Sequence, residues 1–230
     1  MERTVEVSIA EEVRARFPEV LVGGFVVVGL QGVPPGSWAR PAGVEVGPDD
    51  ERVQGWRRAI GACGLKPSRY KSSVEQLVRR YGKGELIDSG ITAVDLYCDV
   101  SARNVSPFGG YDLDRLPEPR VEMRTPRPGD AFNAIGGRGD DEFPLLDEVV
   151  TYACGSTVMC WAWNHRDSAD TGLQADTTTA LFVGEAAYAV QHAALRAAVA
   201  DLADTLRAAG ITVGTPGYAD ATSPTVRVGC

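Results

Sequence analysis

The chain has 230 residues, 44% of them hydrophobic and 23% charged, with a net charge of -8 at pH 7 and a pI near 4.9. That length buries a substantial core in one large domain or two small ones, and the composition is that of an ordinary soluble globular protein. The acidic balance argues against broad, non-specific nucleic-acid binding but leaves room for a local basic face.

The five cysteines, at positions 63, 98, 154, 160 and 230, form no CxxC pair, and an odd count is a poor disulfide framework. They read as reduced, mostly buried thiols. With only two histidines, His165 and His192, no metal site is expected, and no cofactor is implied. The N-terminus is charged and has no signal-peptide pattern. The apolar run Val20–Leu30 is broken by Gly23, Gly24 and Gly29 and is too short to span a bilayer, so the expectation is a cytoplasmic protein with no membrane partner.

In chain order, Thr4–Ile9 alternates as a strand with Val5, Val7 and Ile9 on one face. Ala10–Phe17 reads as a short helix ended by Pro18, and Val20–Leu30 as a buried strand. Gln31–Pro48, rich in Gly and Pro, predicts a loop or irregular crossover. Asp49–Gly61 is helical, capped by Asp49 or Asp50, with Val53, Trp56, Arg57 and Ile60 at helical spacing. In Lys66–Gly82 a helix starts at Ser72 or Ser73, with Glu75 or Gln76 placed as in a capping box and Val74, Leu77, Val78 and Tyr81 as its apolar stripe. The basic residues Arg52, Arg57, Arg58, Lys66, Arg69, Lys71, Arg79, Arg80 and Lys83 are opposed only by Glu75. Phosphates are the natural partner of such a face, and solvated helix surfaces the plainer alternative.

Ile91–Val100 continues as a helix carrying Asp95 and Asp99 at i,i+4, a conceivable acid–base pair but more ordinarily capping or surface groups. Ser106–Tyr111 predicts a tight turn through Pro107, Gly109 and Gly110. Glu118–Asp141 predicts short strand pieces and a Gly136–Gly139 turn that completes no phosphate-binding motif. Val149–Ala153 and Thr157–Trp163 are strands joined by the hairpin turn Cys154-Gly155-Ser156. A polar run follows from Asn164 through Asp176 to three threonines, then a third apolar run, Ala180–Val183, ending on Gly184-Glu185. Polar groups are thus crowded at one end of a strand set, where a rigid sheet can aim them into a cleft. Ala186–Ala209 reads as an amphipathic helix with Val190, Leu195, Val199, Leu202 and Leu206 buried and Gly210 as its C-cap; His192 within it reads as satisfied or solvent-facing. Thr225–Val228 is one more strand. No internal repeat occurs, and the reading is one α+β domain over residues 1–230 with a mixed or antiparallel central sheet flanked by helices.

Three stretches, KSSVEQLVRR (71–80), VDLYCDVSARNVSPFGGYDLDRL (94–116) and VTYACGSTVMCWAWNHRDSADT (150–171), together resemble the B3/B4 domain. This is the editing domain of the phenylalanyl-tRNA synthetase beta subunit, and the likeness is strongest to free-standing versions, over about residues 50–205. The resemblance implies an α+β fold with a cleft between two halves, in which the synthetase hydrolyses tyrosine wrongly esterified to its tRNA. For a free-standing member it implies trans-acting editing. Two departures stand out: Tyr97-Cys98 replaces the family's Thr-Asn, and Gly109 replaces its His. Trp161-Ala162 stands where free-standing relatives often carry two basic residues.

Hydrolysis of an activated ester needs a positioned water, a group that polarises it and donors for the oxyanion. Under the resemblance, Glu185, Asp167 and Asn164 are the candidates to orient water and the α-amino group, with Thr178 or Thr179 as hydroxyl partners. Backbone N–H groups near Gly109-Gly110 are candidates for the oxyanion. Arg166 can pair bidentately with a phosphate or carboxylate, or equally form an ion pair with Asp167 or Asp170. Tyr97, Cys98, Trp161 and Trp163 are candidate pocket walls, with core packing as the alternative for the aromatic rings. Arg69, Lys71, Arg79 and Arg80 are candidate contacts to the RNA acceptor end. The leading expectation is a deacylase of aminoacyl-tRNA carrying a non-cognate or unusual amino acid. The alternatives are a non-catalytic module that binds an amino acid or an acylated RNA end, and an enzyme acting on a small amino-acid-derived metabolite with Cys98 or Cys160 as nucleophile near His165.

Overall fold

A computed structural model describes residues 3–41, 44–47, 49–137 and 142–230. Ala42, Gly43 and Pro48 of the expected crossover, Arg138 and Gly139 of the expected Gly136–Gly139 turn, and Asp140 and Asp141 at the end of the expected Glu118–Asp141 segment lie outside them. The strands are β1 (Thr4–Ile9), β2 (Leu21–Val28), β3 (Phe108–Asp112), β4 (Arg120–Arg124), β5 (Thr151–Cys154), β6 (Thr157–Trp161), β7 (Arg166–Asp167), β8 (Thr179–Ala186), β9 (Thr212–Val213), β10 (Gly217–Asp220) and β11 (Thr225–Gly229). The helices are α1 (Glu11–Arg16), α2 (Glu51–Ala62), α3 (Ser73–Tyr81), α4 (Thr92–Asn104) and α5 (His192–Ala208). No helix among the described residues is long and apolar enough to cross a membrane.

The sheet expected from the sequence is two sheets. One runs β11-β1-β4-β5-β6-β7 and is mixed, its β1–β4 pair parallel; the other runs β10-β2-β8-β3, antiparallel, with β9 added beside β2. The two-residue period of a strand explains how they stack. In β2 and β8, Val22, Val26, Leu181 and Val183 join Val5, Val7, Val121 and Met123 of the first sheet in one core between the sheets. Leu21, Phe25, Val27 and Phe182 point the other way, onto α4 and the Leu195–Val199–Leu202–Leu206 stripe of α5. The layers are therefore sheet, sheet and helix pair. Strands β7 and β3 are the terminal strands of their sheets, and α3 and α4 pack beside this edge.

Several local expectations change. Ser106–Tyr111 is not a turn: Phe108–Asp112 is strand β3, fully buried. Its glycines serve close approach, since a Cβ on Gly110 would meet Leu173 at 2.8 Å and Phe182 at 3.0 Å. Glu185 lies inside β8 rather than after it. The expected Ala186–Ala209 helix begins only at His192, because the Gln191 side chain accepts from the N–H groups of Ala187 and Tyr188 and ends the strand in a single 3-10 turn. That turn leaves Val190 exposed, while the His192 ring is satisfied by the Glu19 carbonyl. Ser72 does cap α3, but Glu75 does not reach back as a capping-box partner. It is buried and holds Arg57 at 2.8 Å and Arg79 at 3.0 Å.

Asp95 and Asp99 form no acid–base pair. Asp95 accepts from the N–H and hydroxyl of Ser89 just before α4. Asp99 is fully buried and collects Trp38 Nε1 at 2.8 Å, the Arg40 guanidinium and the Tyr81 hydroxyl, which ties the segment before α2 to α3 and α4. Removing one partner of such a network strands the others. Asp99→Ala is expected to cost about 3–5 kcal/mol in urea unfolding; a loss under about 1 kcal/mol would show that the network contributes little.

Candidate active site at the open edge of the two sheets

A cleft of about 360 Å³ opens where β7 and β3 face α3 and α4. Ser73, Gln76, Leu77 and Arg80 come from α3, Val94, Tyr97 and Cys98 from α4, and Phe108 from β3. Asn164, His165, Arg166 and Asp167 come from the turn after β6 and from β7, with Ile87 and Ile135 at the rim. The three stretches that carry the sequence resemblance converge here.

The turn that delivers Asn164 is unusual. Ala162 and Trp163 are successive non-glycine residues in the left-handed region, at φ 51° and 65°, which costs on the order of 1–3 kcal/mol each. Packing enforces it. The Trp163 N–H donates to Val150 O at 2.7 Å, and its ring lies edge-on to Phe17 and Trp56 at 4.8 and 5.6 Å. Trp161 donates to Pro144 O. Both tryptophans are fully buried and neither lines the cleft, so they anchor its floor rather than wall it.

At and beneath the cleft, two carboxyls accept hydrogen bonds that span the two sheets. Glu185 of β8 accepts from the Tyr152 hydroxyl of β5 at 3.2 Å and from Asn164 Nδ2 at 2.7 Å. Asn164 Oδ1 in turn accepts from the N–H of Ser73 at 3.0 Å. Glu185 is 2% exposed and does not line the cleft; it reaches the cleft only through Asn164. Burial without a cation pushes its carboxyl up to about 8, against the pull of its two donors. Asp167 of β7 lines the cleft directly and accepts from Tyr111 Oη of β3 at 3.2 Å. Burial raises it as well, offset in part by the Cys160 thiol and the Tyr111 hydroxyl.

The remaining candidates divide. Thr179 opens β8, six residues from Glu185 and thus roughly 20 Å away along the strand, and Thr178 precedes it by one, so neither is the hydroxyl partner of Glu185. Gly109 and Gly110 are buried within β3, and Phe108 is the β3 residue that faces the cleft. Arg79 is held by Glu75, Arg69 stacks on Tyr70 at 5.1 Å, and Lys71 Nζ donates to Ser68 O. Arg80 and Arg166 make no ion pair among the described residues, and both line the cleft. Arg166 lies over the Phe143 ring, and its Nε is buried with no hydrogen-bond partner among the described residues. The alternative pairing of Arg166 with Asp167 or Asp170 is not made; Asp170 accepts from Asn133 instead.

His165 is neutral, its pKa lowered first by burial, and its Nδ1 must carry hydrogen because it faces the Lys71 carbonyl at 2.6 Å. Cys98 lines the cleft, but burial drives its thiol up, as it does that of Cys160, which lies beside Asp167. Both environments oppose a thiolate nucleophile. Ser73, Gln76, Phe108 and Tyr111 were not among the sequence candidates. All four lie in the stretches that carry the resemblance, and the cap and amphipathic pattern of α3 pointed to the helix that holds the first two.

A family model of the B3/4 domain matches residues 55–206, and the chain belongs to the B3/4 domain family. Every residue lining the cleft falls within that match. Among solved structures the chain is similar to an N-terminal fragment of the phenylalanyl-tRNA synthetase beta-subunit from Pyrococcus horikoshii. The sequences are 11% identical and the TM-score is 0.44; the similarity covers 91% of this chain and 50% of that one, so the chain spans half the length of that structure. No curated protein matches the chain.

Because Glu185 is held well above its unfolded value near 4.5, the folded chain keeps a proton there that the unfolded chain has lost between about pH 4.5 and 8. Its contribution to stability is full below pH 4.5 and is lost as pH rises through 8. Glu185→Gln is expected to remove most of that slope, on the order of 3–5 kcal/mol, in unfolding measured from pH 5 to 9. Parallel profiles for the two proteins would contradict the buried acid.

Proposed function

We propose that this chain is a trans-acting aminoacyl-tRNA deacylase that cleaves the ester of a non-cognate or unusual amino acid by water attack. The reading takes residues 1–230 as a single B3/4-like unit working in the cytoplasm, where charged tRNA is met. The observation that carries it is the Asp167 carboxyl, half-buried in the cleft beside Asn164, with Arg80 and Arg166 on the same walls and making no ion pair among the described residues.

Each part has a chemical task. A carboxyl raised by burial is a better proton acceptor near neutral pH than an ordinary aspartate. Asp167 takes a proton from water as the water oxygen bonds to the ester carbonyl carbon. The ester C–O bond then breaks, and the proton passes to the departing ribose oxygen. Asn164, locked between Glu185 and Ser73, holds the attacking water or the α-amino group, which makes Glu185 a positioning residue. Arg80 and Arg166 suit the terminal phosphates of the acceptor end, and Leu77, Ile87, Val94 and Phe108 offer an apolar wall to the amino-acid side chain.

The test is release of labelled amino acid from a panel of correctly and wrongly charged tRNAs. Asp167→Asn and Asn164→Ala are each expected to lower kcat/KM of the responding species by about 10²–10⁴-fold with the protein still folded. Full activity in both would refute the site, and no turnover by the wild type would favour a module that only binds an acylated end. Arg80→Glu with Arg166→Ala is expected to raise KM several-fold at low salt, with the difference shrinking as salt is added. An unchanged KM at low salt would remove the arginines from the RNA contact.

A further inference from the structure

The Tyr111 side chain folds back along its own strand. Residues 109 and 111 share one face of β3, and position 109 is bare. A Cβ on Gly109 would overlap the Tyr111 hydroxyl and meet ring carbons Cζ and Cε2 at 2.8 and 3.0 Å. The ring therefore fills the volume a side chain at 109 would need, and its hydroxyl reaches across the gap between the sheets to Asp167 Oδ1 at 3.2 Å. Tyr111 is 2% exposed, and the surrounding carboxyls, with burial first, keep its hydroxyl protonated, so it is a fixed donor. A second contact locks the strand: Asp112 accepts from the Thr177 hydroxyl at 2.7 Å and from the Asp114 N–H at 2.9 Å.

We propose that Tyr111, given room by Gly109, is a positioning residue for the reaction: its hydroxyl binds one oxygen of Asp167 and fixes the direction in which that carboxyl meets water in the cleft. This rests on the function proposed above. Asp167 sits on a strand of only two residues at the sheet edge, where its backbone is held by the Cys160 pairing and by the N–H of Ile135. Tyr111 is the one side-chain donor from the opposite sheet that reaches it among the described residues. A donor to a carboxylate favours its ionised form. Losing the hydroxyl must then raise the pH at which Asp167 ionises and loosen its direction.

Two readouts separate this role from simple packing. In Tyr111→Phe the acidic limb of the kcat/KM profile should move to higher pH. The resulting loss should be roughly tenfold on that limb, about the value of one charge-assisted hydrogen bond, and should narrow at high pH. Carbon-13 NMR of the Asp167 carboxyl, assigned with Asp167→Asn, should show its titration moving to higher pH in the same variant. The NMR readout needs no turnover, so it decides the Tyr111–Asp167 contact even if the panel shows no hydrolysis and the functional reading fails. Gly109→Ala, which crowds the hydroxyl without removing it, should shift the titration in the same direction and serves if the phenylalanine variant does not fold. Superimposable titrations for the wild type and the folded variants would overturn the proposal.

Discussion

Everything around the cleft depends on two acids withdrawn from water, Glu185 wholly and Asp167 in part. An ionised carboxylate moved out of water without a cation is costly, so it must be neutralised, hydrogen-bonded or both. Glu185 is both: raised to about 8 and held by Tyr152 and Asn164. Asp167 keeps a face to the cleft and takes Tyr111 as donor. The two tyrosines come from opposite sheets, so the same bonds that satisfy the acids also clamp the sheets at their open edge.

That edge explains why the cleft is there. Strands β7 and β3 end their sheets, and an unpaired edge is covered in this molecule by α3, α4 and the turn after β6 rather than by another strand. The covering elements leave a gap, and they fill it unevenly. Apolar side chains from both helices line one wall, while the strained turn at Ala162-Trp163 brings Asn164, Arg166 and Asp167 to the other. The strain is borne by a fully buried tryptophan cluster, which gives the polar wall a rigid base.

Charge follows a similar division. Of the basic excess between Arg52 and Lys83, Arg52 is taken by Asp50, and Arg57 and Arg79 by the buried Glu75. The Arg57–Glu75 pair joins α2 to α3, while the other two are local to their own helices. Arg80, one residue further along α3, lies on a different helix face and has no such partner among the described residues, and it lines the cleft with Arg166. A step of about 100° around a helix is enough to separate a structural cation from one available to a ligand.

Much of this was legible in the chain itself. Alternation in Thr4–Ile9, the 3.6-residue stripe of α3, the Gly155 hairpin and the Ser72 cap are local signals, set by side-chain period and backbone freedom, and each element formed where those signals placed it. The candidates Asn164, Asp167, Arg166, Tyr97 and Cys98 meet in one cleft: local order groups the first three around β7 and the last two on one turn of α4, and packing of that helix against the sheet edge brings the groups together. Tertiary packing decided the rest. Gly109-Gly110 looks like a turn locally and is a strand because Leu173, Phe182 and Tyr111 occupy the space that side chains would have taken. Trp161 and Trp163 are core, and Glu185 lies one layer below the cleft. Which acid faces solvent depends on how two sheets stack, a long-range contact that no stretch of sequence contains. The sequence determined the elements and the residue types at the site; only the folded chain decided which groups touch the cleft and which hold them in place.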